Sequence, residues 1–185
     1  MTGTSPRKRI LIPPSALVLL IGAAGSGKST FAERNFPPEA VLSSDRLRMA
    51  IAGTEADQRY NDAVFGQIHQ LLDERLAEGE LVVVDATNTE WAARSELIRI
   101  AQRHHRPATA IVLHLPLELC LERNAARARR VRPAAVGRQI AELARDVDRL
   151  DLEGLLPVYV LRSAEEVDRT TVEIEKGPAV RAPSS

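Results

Sequence analysis

Short, continuously apolar runs alternate along the chain with longer segments whose apolar residues recur every three to four positions. The runs fall near residues 16–21, 40–42, 81–84, 111–113 and 158–161. Without polar alternation, runs this short predict strands buried on both faces. Between them, Val64, Ile68, Leu71, Leu72 and Leu76 repeat at helical spacing from Tyr60 onward, and Gly79 supplies a left-handed cap. Asn88 or Thr89 can cap a further helix whose inward face is Leu97, Ile98 and Ala101. Residues 117–130 read as an arginine-rich helix. Pro133 then opens another, with Ile140, Leu143, Ala144, Val147 and Leu150 inward. Strands alternating with helices predict an α/β domain with a parallel sheet covered on both faces and its site at the strand C-terminal ends.

The first buried run leads directly into Gly22-Ala23-Ala24-Gly25-Ser26-Gly27-Lys28-Ser29-Thr30, which has the G-x-x-x-x-G-K-[ST] spacing of a phosphate loop. Glycines let successive backbone N–H groups turn inward around phosphate oxygens where side chains would collide. Lys28 can reach the β and γ phosphates, the Ser29 hydroxyl can ligate Mg²⁺, and the following helix N-terminus adds its positive end. The expected donor is therefore ATP or another nucleoside triphosphate with Mg²⁺, on a sheet of the P-loop NTPase type. The helix after the loop is expected to stop before Pro37-Pro38.

Three constellations fall on or beside the same sheet edge. Ser43-Ser44-Asp45-Arg46-Leu47-Arg48 follows the second run, and a helical turn there would put Asp45 and Arg48 on one face as a base and an anion clamp. The alternative is that Ser44 or Asp45 merely caps that helix. Asp85-Ala86-Thr87-Asn88 follows the third run, where an acid can hold a metal directly or through water. Arg123 and Arg127 lie one helical turn apart within a dense arginine run and can clamp a transferring phosphoryl group; a solvated helix face is the competing reading.

Composition narrows the picture. A chain of 185 residues with 44% apolar content fits one domain, expected over residues 16–176, with a mobile leader at 1–15 and a disordered tail at 177–185. Net charge is zero, so anion binding must come from local arginines and no global field steers nucleic acid. Cys120 is the single cysteine, which agrees with a reducing cytoplasm, and its leucine neighbours favour core packing. Arg7-Lys8-Arg9 and the apolar stretch before Ala23-Ala24-Gly25 loosely mimic a secretory signal, but Pro13-Pro14 interrupts it and the small residues belong to the phosphate loop. No stretch is long enough to span a membrane. His69, His104, His105 and His114 lack metal-ligand spacing. Trp91, Tyr60 and Phe65 are expected in the core or a cleft wall, and 3% aromatic content does not support an extended base-stacking platform.

Taken together, residues 22–30, Ser43-Ser44-Asp45 with Arg48, Val84-Asp85-Ala86-Thr87-Asn88 and Arg123-Asn124 with Arg127 resemble the polynucleotide 5′-kinase family, nearest to the kinase module of bacterial RNA end-healing enzymes. The likeness covers about residues 15–165. It implies that Lys28 and Ser29 hold the triphosphate and metal and that Asp45 accepts the proton of a 5′-hydroxyl of RNA or DNA. It further implies that Arg48 grips the acceptor phosphate and that Arg123 and Arg127 belong to a helical lid over the donor. The phosphatase and adenylyltransferase modules typical of those enzymes are absent from these residues. Broader relatives on the same scaffold phosphorylate sugars, antibiotics or nucleotide-sugars, which makes a small-molecule hydroxyl kinase the alternative. A nucleotide-switched binding module is a third reading, and Asp45 with Arg48 argues against it because a switch needs no acceptor base.

Overall fold

The computed structural model describes residues 8–53 and 58–175. Its centre is a five-stranded, fully parallel sheet made of β2 (Leu17–Ile21), β3 (Val41–Ser43), β4 (Val82–Asp85), β5 (Ala108–Leu113) and β6 (Val158–Leu161), in the order β3-β4-β2-β5-β6. The five apolar runs supply these five strands. The fourth starts three residues earlier than its aliphatic triplet, because Ala108, Thr109 and Ala110 are small enough to lie buried against β2.

Successive side chains on a strand point to opposite faces, so the continuous runs feed two cores. Leu17, Leu19, Ile21, Val82, Val84 and Val112 pack on one face against helices α3 (Asn61–Glu78) and α4 (Trp91–Arg103). Val18, Leu20, Val83, Ile111 and Leu113 pack on the other against α1 (Lys28–Asn35), α5 (Leu117–Ala125) and the start of α6 (Pro133–Asp146). Cys120 is buried in this second core. Phe65 packs against the first core, whereas Trp91 is 60% exposed and Tyr60 40%, each at a helix start; neither is a core residue, and Trp91 instead lines a surface cleft with Ser95 and Glu153.

Several expected boundaries shift for identifiable reasons. Helix α2 (Ser44–Ala52) is capped by Ser43, whose Oγ accepts from the Arg46 N–H at 3.5 Å, and not by Ser44 or Asp45. Helix α4 starts after Glu90 without a side-chain cap; Asn88 instead sits at φ 49° and donates from Nδ2 to the Leu20 carbonyl at 2.9 Å. The arginine-rich helix stops at Ala125, not residue 130. Asn124 turns back there, donating to the Val131 carbonyl (2.8 Å) and accepting from its N–H (3.0 Å), which closes residues 126–130 into a loop. The arginine-rich stretch, expected as a helical lid, is therefore a helix end plus a loop. Gly79 (φ 80°) ends α3, and Pro133 opens α6, as the sequence implies. Val147 and Leu150 are buried on a 3₁₀ turn (Val147–Glu153) beyond α6.

Residues 9–12 correct the expected mobile leader. They form strand β1 (Arg9–Ile12), paired in parallel with β7 (Thr171–Ile174), which follows α7 (Ala164–Arg169). Ile10 and Ile12 are fully buried while Arg9 and Leu11 face out, a period-two pattern that the neighbouring charges and prolines obscure. Residues 1–7 and 177–185 of the expected leader and tail lie outside the described residues.

Candidate active site

The phosphate loop joins β2 to α1. Gly25 and Gly27 have φ of 83° and 94°, a backbone region that side-chain-bearing residues rarely adopt. Contact imposes a second requirement: a Cβ on Gly25 would lie 2.2 Å from the Cys120 carbonyl oxygen, and one on Gly22 would lie 2.8 Å from that of Leu113. The loop is thus pressed onto α5 and the end of β5. Its Gly22 N–H donates to the Thr87 carbonyl at 3.0 Å, and the Ala24 N–H donates to Gln139 Oε1 on α6 at 2.9 Å. Ala23 and Ser26 are buried, while Ser29 and Thr30 are exposed at the start of α1.

Lys28 folds back over the loop, its Nζ donating to the carbonyls of Gly22 (2.7 Å) and Ala23 (2.9 Å). Burial pulls its pKa from 10.5 down to about 8, opposed chiefly by Asp85 and reinforced by Arg127. A cleft of about 310 Å³ opens beside the loop, lined by Gly25, Gly27, Lys28, Ser29 and Thr30 on one side and by Arg123 and Arg127 on the other. Its far end is walled by Arg34, Val167 and Asp168. Arg123 Nη1 lies 3.6 Å from the position of a Cβ on Gly27, directly over the loop. Arg123 and Arg127 therefore reach the same cleft, but from a helix end and a loop, not from one helical face.

Beyond the strand β3, α2 carries Asp45 and Arg48. Arg48 Nη1 donates to Asp45 Oδ1 at 2.9 Å and Nη2 donates to Asn61 Oδ1 at 2.9 Å; the side chain is buried and its Nε lacks a partner. Two more guanidinium groups arrive from the 126–130 loop. Arg129 Nη1 donates to Asp45 Oδ1, and Arg127 Nη2 stands 3.6 Å from Oδ2. Arg129 had no separate signal in the sequence, since Arg127, Arg129 and Arg130 are equivalent until the helix end is known.

Asp85 is buried at the end of β4, and it lines a small cavity together with Ser29. One hydroxyl and one carboxylate suit Mg²⁺, which retains waters and takes phosphate oxygens as further ligands, and these two residues would hold it. Among the described residues no cluster of three or more His, Cys, Asp or Glu side chains is arranged for a metal. The segment after Asp85 is fixed by Arg94, a fully buried arginine that the motifs do not reveal. Its Nη1 donates to the carbonyls of Asn88 (3.1 Å) and Thr89 (2.6 Å), and its Nη2 and Nε reach Asp146 and Glu153 at 2.6–2.8 Å. Thr89 Oγ1 donates to Glu142 at 2.9 Å, so α6 braces the strand-end loop as well as the phosphate loop.

A parallel sheet, a glycine-built phosphate loop, an acid on the adjacent strand and arginines over the cleft form a nucleotide site of the P-loop type. The family model for the AAA domain (AAA_33) matches residues 17–150, and the chain belongs to that family. Among curated proteins it is 29% identical over 177 residues to the transcription factor bHLH140 of Arabidopsis thaliana, covering 91% of this chain and 18% of that protein. It is 29% identical over 123 residues to the L-seryl-tRNA(Sec) kinase of Methanococcus maripaludis, covering 62% and 47%. The chain thus spans less than half the length of either relative. In fold it resembles a gluconokinase from Sinorhizobium meliloti 1021 (TM-score 0.55, 19% identity, 85% of this chain and 90% of that one). It also resembles a chain of the Pnkp1/Rnl/Hen1 complex (TM-score 0.51, 21% identity, 71% and 43%). Among the described residues no helix is long and apolar enough to cross a membrane.

Proposed function

We propose that this protein transfers the γ-phosphoryl group of a nucleoside triphosphate to a 5′-hydroxyl end of RNA or DNA. The observation that carries the reading is the juxtaposition of Asp45 with the guanidinium groups of Arg48, Arg127 and Arg129 on the sheet edge that bears the phosphate loop. One carboxylate among three guanidinium groups leaves an excess of positive charge. That suits an acceptor whose reacting hydroxyl is flanked by a phosphate, as in a nucleic-acid end, more than a neutral sugar.

In this reading the acceptor hydroxyl gives its proton to Asp45 as its oxygen bonds to the γ-phosphorus. The bond from that phosphorus to the β–γ bridging oxygen breaks, and the nucleoside diphosphate leaves with the electron pair. Lys28, Arg123 and Arg127 stabilise the charge on the transferring group. Ser29 and Asp85 would hold Mg²⁺, which would supply charge neutralisation at the phosphates. One curated relative is named an L-seryl-tRNA(Sec) kinase, which supports phosphoryl transfer as the reaction class.

The test is kcat/KM with labelled ATP for a nucleoside, its 3′-monophosphate and a short 5′-hydroxyl oligonucleotide. The last two are expected to be substrates and the unphosphorylated nucleoside a much poorer one. Asp45→Asn is expected to lower kcat by roughly 10²–10⁴-fold with ATP affinity nearly unchanged. If all three acceptors fail while gluconate or another small alcohol is phosphorylated, the small-molecule alternative replaces this reading.

A further inference from the structure

The two oxygens of Asp45 are not equivalent. Oδ1 accepts from Arg48 Nη1 at 2.9 Å and from Arg129 Nη1 as well. A carboxylate oxygen has about two lone-pair sites, so Oδ1 is fully used. Arg127 Nη2 stands 3.6 Å from Oδ2, beyond hydrogen-bond distance, and so leaves the lone pairs of that oxygen unused. The two donors on Oδ1 come from different elements. Arg48 belongs to α2 and is anchored by Asn61. Arg129 belongs to the loop that the buried Asn124 closes through both backbone groups of Val131. Held from two directions, the carboxylate cannot turn about its Cβ–Cγ bond without breaking a charged hydrogen bond.

We infer that Arg129 is a positioning residue: with Arg48 it saturates Oδ1 of Asp45 and so makes Oδ2 the atom that receives the acceptor's proton. The inference rests on the acceptor-base reading of Asp45 above. In the step, the hydroxyl proton passes to Oδ2 while the hydroxyl oxygen forms its bond to the γ-phosphorus and the diphosphate departs with the electrons of the broken P–O bond. Without Arg129 the carboxylate is tied at a single guanidinium and samples orientations in which neither free lone pair meets the hydroxyl. The same contact links the loop bearing Arg127 to the base, so donor-side and acceptor-side groups are set by one piece of chain.

The test is a double-mutant cycle on the full chain with ATP, Mg²⁺ and a 5′-hydroxyl oligonucleotide, using labelled phosphate with substrates in excess and long incubations so that slow variants remain measurable. Arg129→Ala is expected to lower kcat about 10–100-fold, with the KM for ATP and for the acceptor each changing less than about threefold. Arg129→Lys, which keeps one cationic donor, is expected to recover a substantial part of the loss. In an Asp45→Asn background the effect of Arg129→Ala is expected to shrink to within about threefold, because the residue acts through that carboxylate. An equal loss in both backgrounds, a rise confined to acceptor KM, or an unchanged kcat in the single variant each overturns the inference. If the wild type transfers nothing to the oligonucleotide but phosphorylates a small alcohol, the acceptor assignment fails, and the same cycle on that alcohol still decides the role of Arg129.

Discussion

At Lys28 an ammonium group is enclosed by its own loop, and burial brings its pKa down to about 8 from 10.5. In the unfolded chain the group keeps its proton up to about pH 10.5. Between these values the unfolded state therefore binds more protons, and folding stability rises with pH. The burden of burying the charge is fully present below pH 8 and is relieved by about pH 10.5. Wild type is expected to gain stability relative to Lys28→Met across that window, by up to about 3 kcal/mol. Denaturant melts of the two proteins at several pH values measure this, and parallel pH profiles would refute it. Residues of this kind were legible in the sequence because a glycine-spaced loop after a buried run has few other uses. The placement of Asp45, Arg48 and Asp85 on one sheet edge was legible for the related reason that they stand at or just beyond strand ends. Arg129 was not, since choosing among Arg127, Arg129 and Arg130 requires knowing that α5 stops at Ala125.

The connection between β4 and α4 depends on Arg94, whose five-donor fork is shared among two carboxylates and two carbonyls. Removing it leaves Asp146 and Glu153 without their cation and the Asn88 and Thr89 carbonyls without a donor. Arg94→Ala is expected to destabilise the protein by about 3–5 kcal/mol. It is also expected to reduce phosphoryl transfer, because the segment it pins begins at Asp85. Arg94→Lys restores charge but not the fork and is expected to remain well below wild type; thermal melts and kcat under saturating substrate check both variants. From sequence, Arg94 is one polar residue on an amphipathic helix, and its carboxylate partners lie 52 and 59 positions away. Helix boundaries set by glycine and proline, at Gly79 and Pro133, were legible because those residues act locally. The end of α5 was not, because it is fixed by Asn124 bonding to a residue beyond the loop.

For the whole molecule, the central sheet was legible from five apolar runs because burial on both faces removes polar residues from a strand altogether. The pairing of β1 with β7 was not, since half of β1 and most of β7 face out and Arg9 and Glu173 are 164 positions apart. Ile10→Ala is expected to cost about 2–4 kcal/mol in a urea melt. Its exposed neighbour Leu11→Ala is expected to stay within about 0.5 kcal/mol. Equal effects would return residues 9–12 to a loose leader. The pair matters beyond its own stability: Asn35 of α1 accepts from the Val172 N–H at 3.1 Å and Arg34 donates to the Val167 carbonyl, so β7 and α7 are fastened to the helix that follows the phosphate loop. Bringing together strands separated by so much chain carries a loop-closure entropy of about 4–5 kcal/mol, repaid only after the intervening sheet has gathered them. During synthesis β1 emerges before β7 and has to wait for it. The cleft wall at Val167 and Asp168 is thus completed last, and pulse-labelled exchange should find the Ile10 and Ile12 amides protected after those of β2 and β4. A nascent or clipped chain can carry an intact phosphate loop and still lack a finished place to hold the nucleotide.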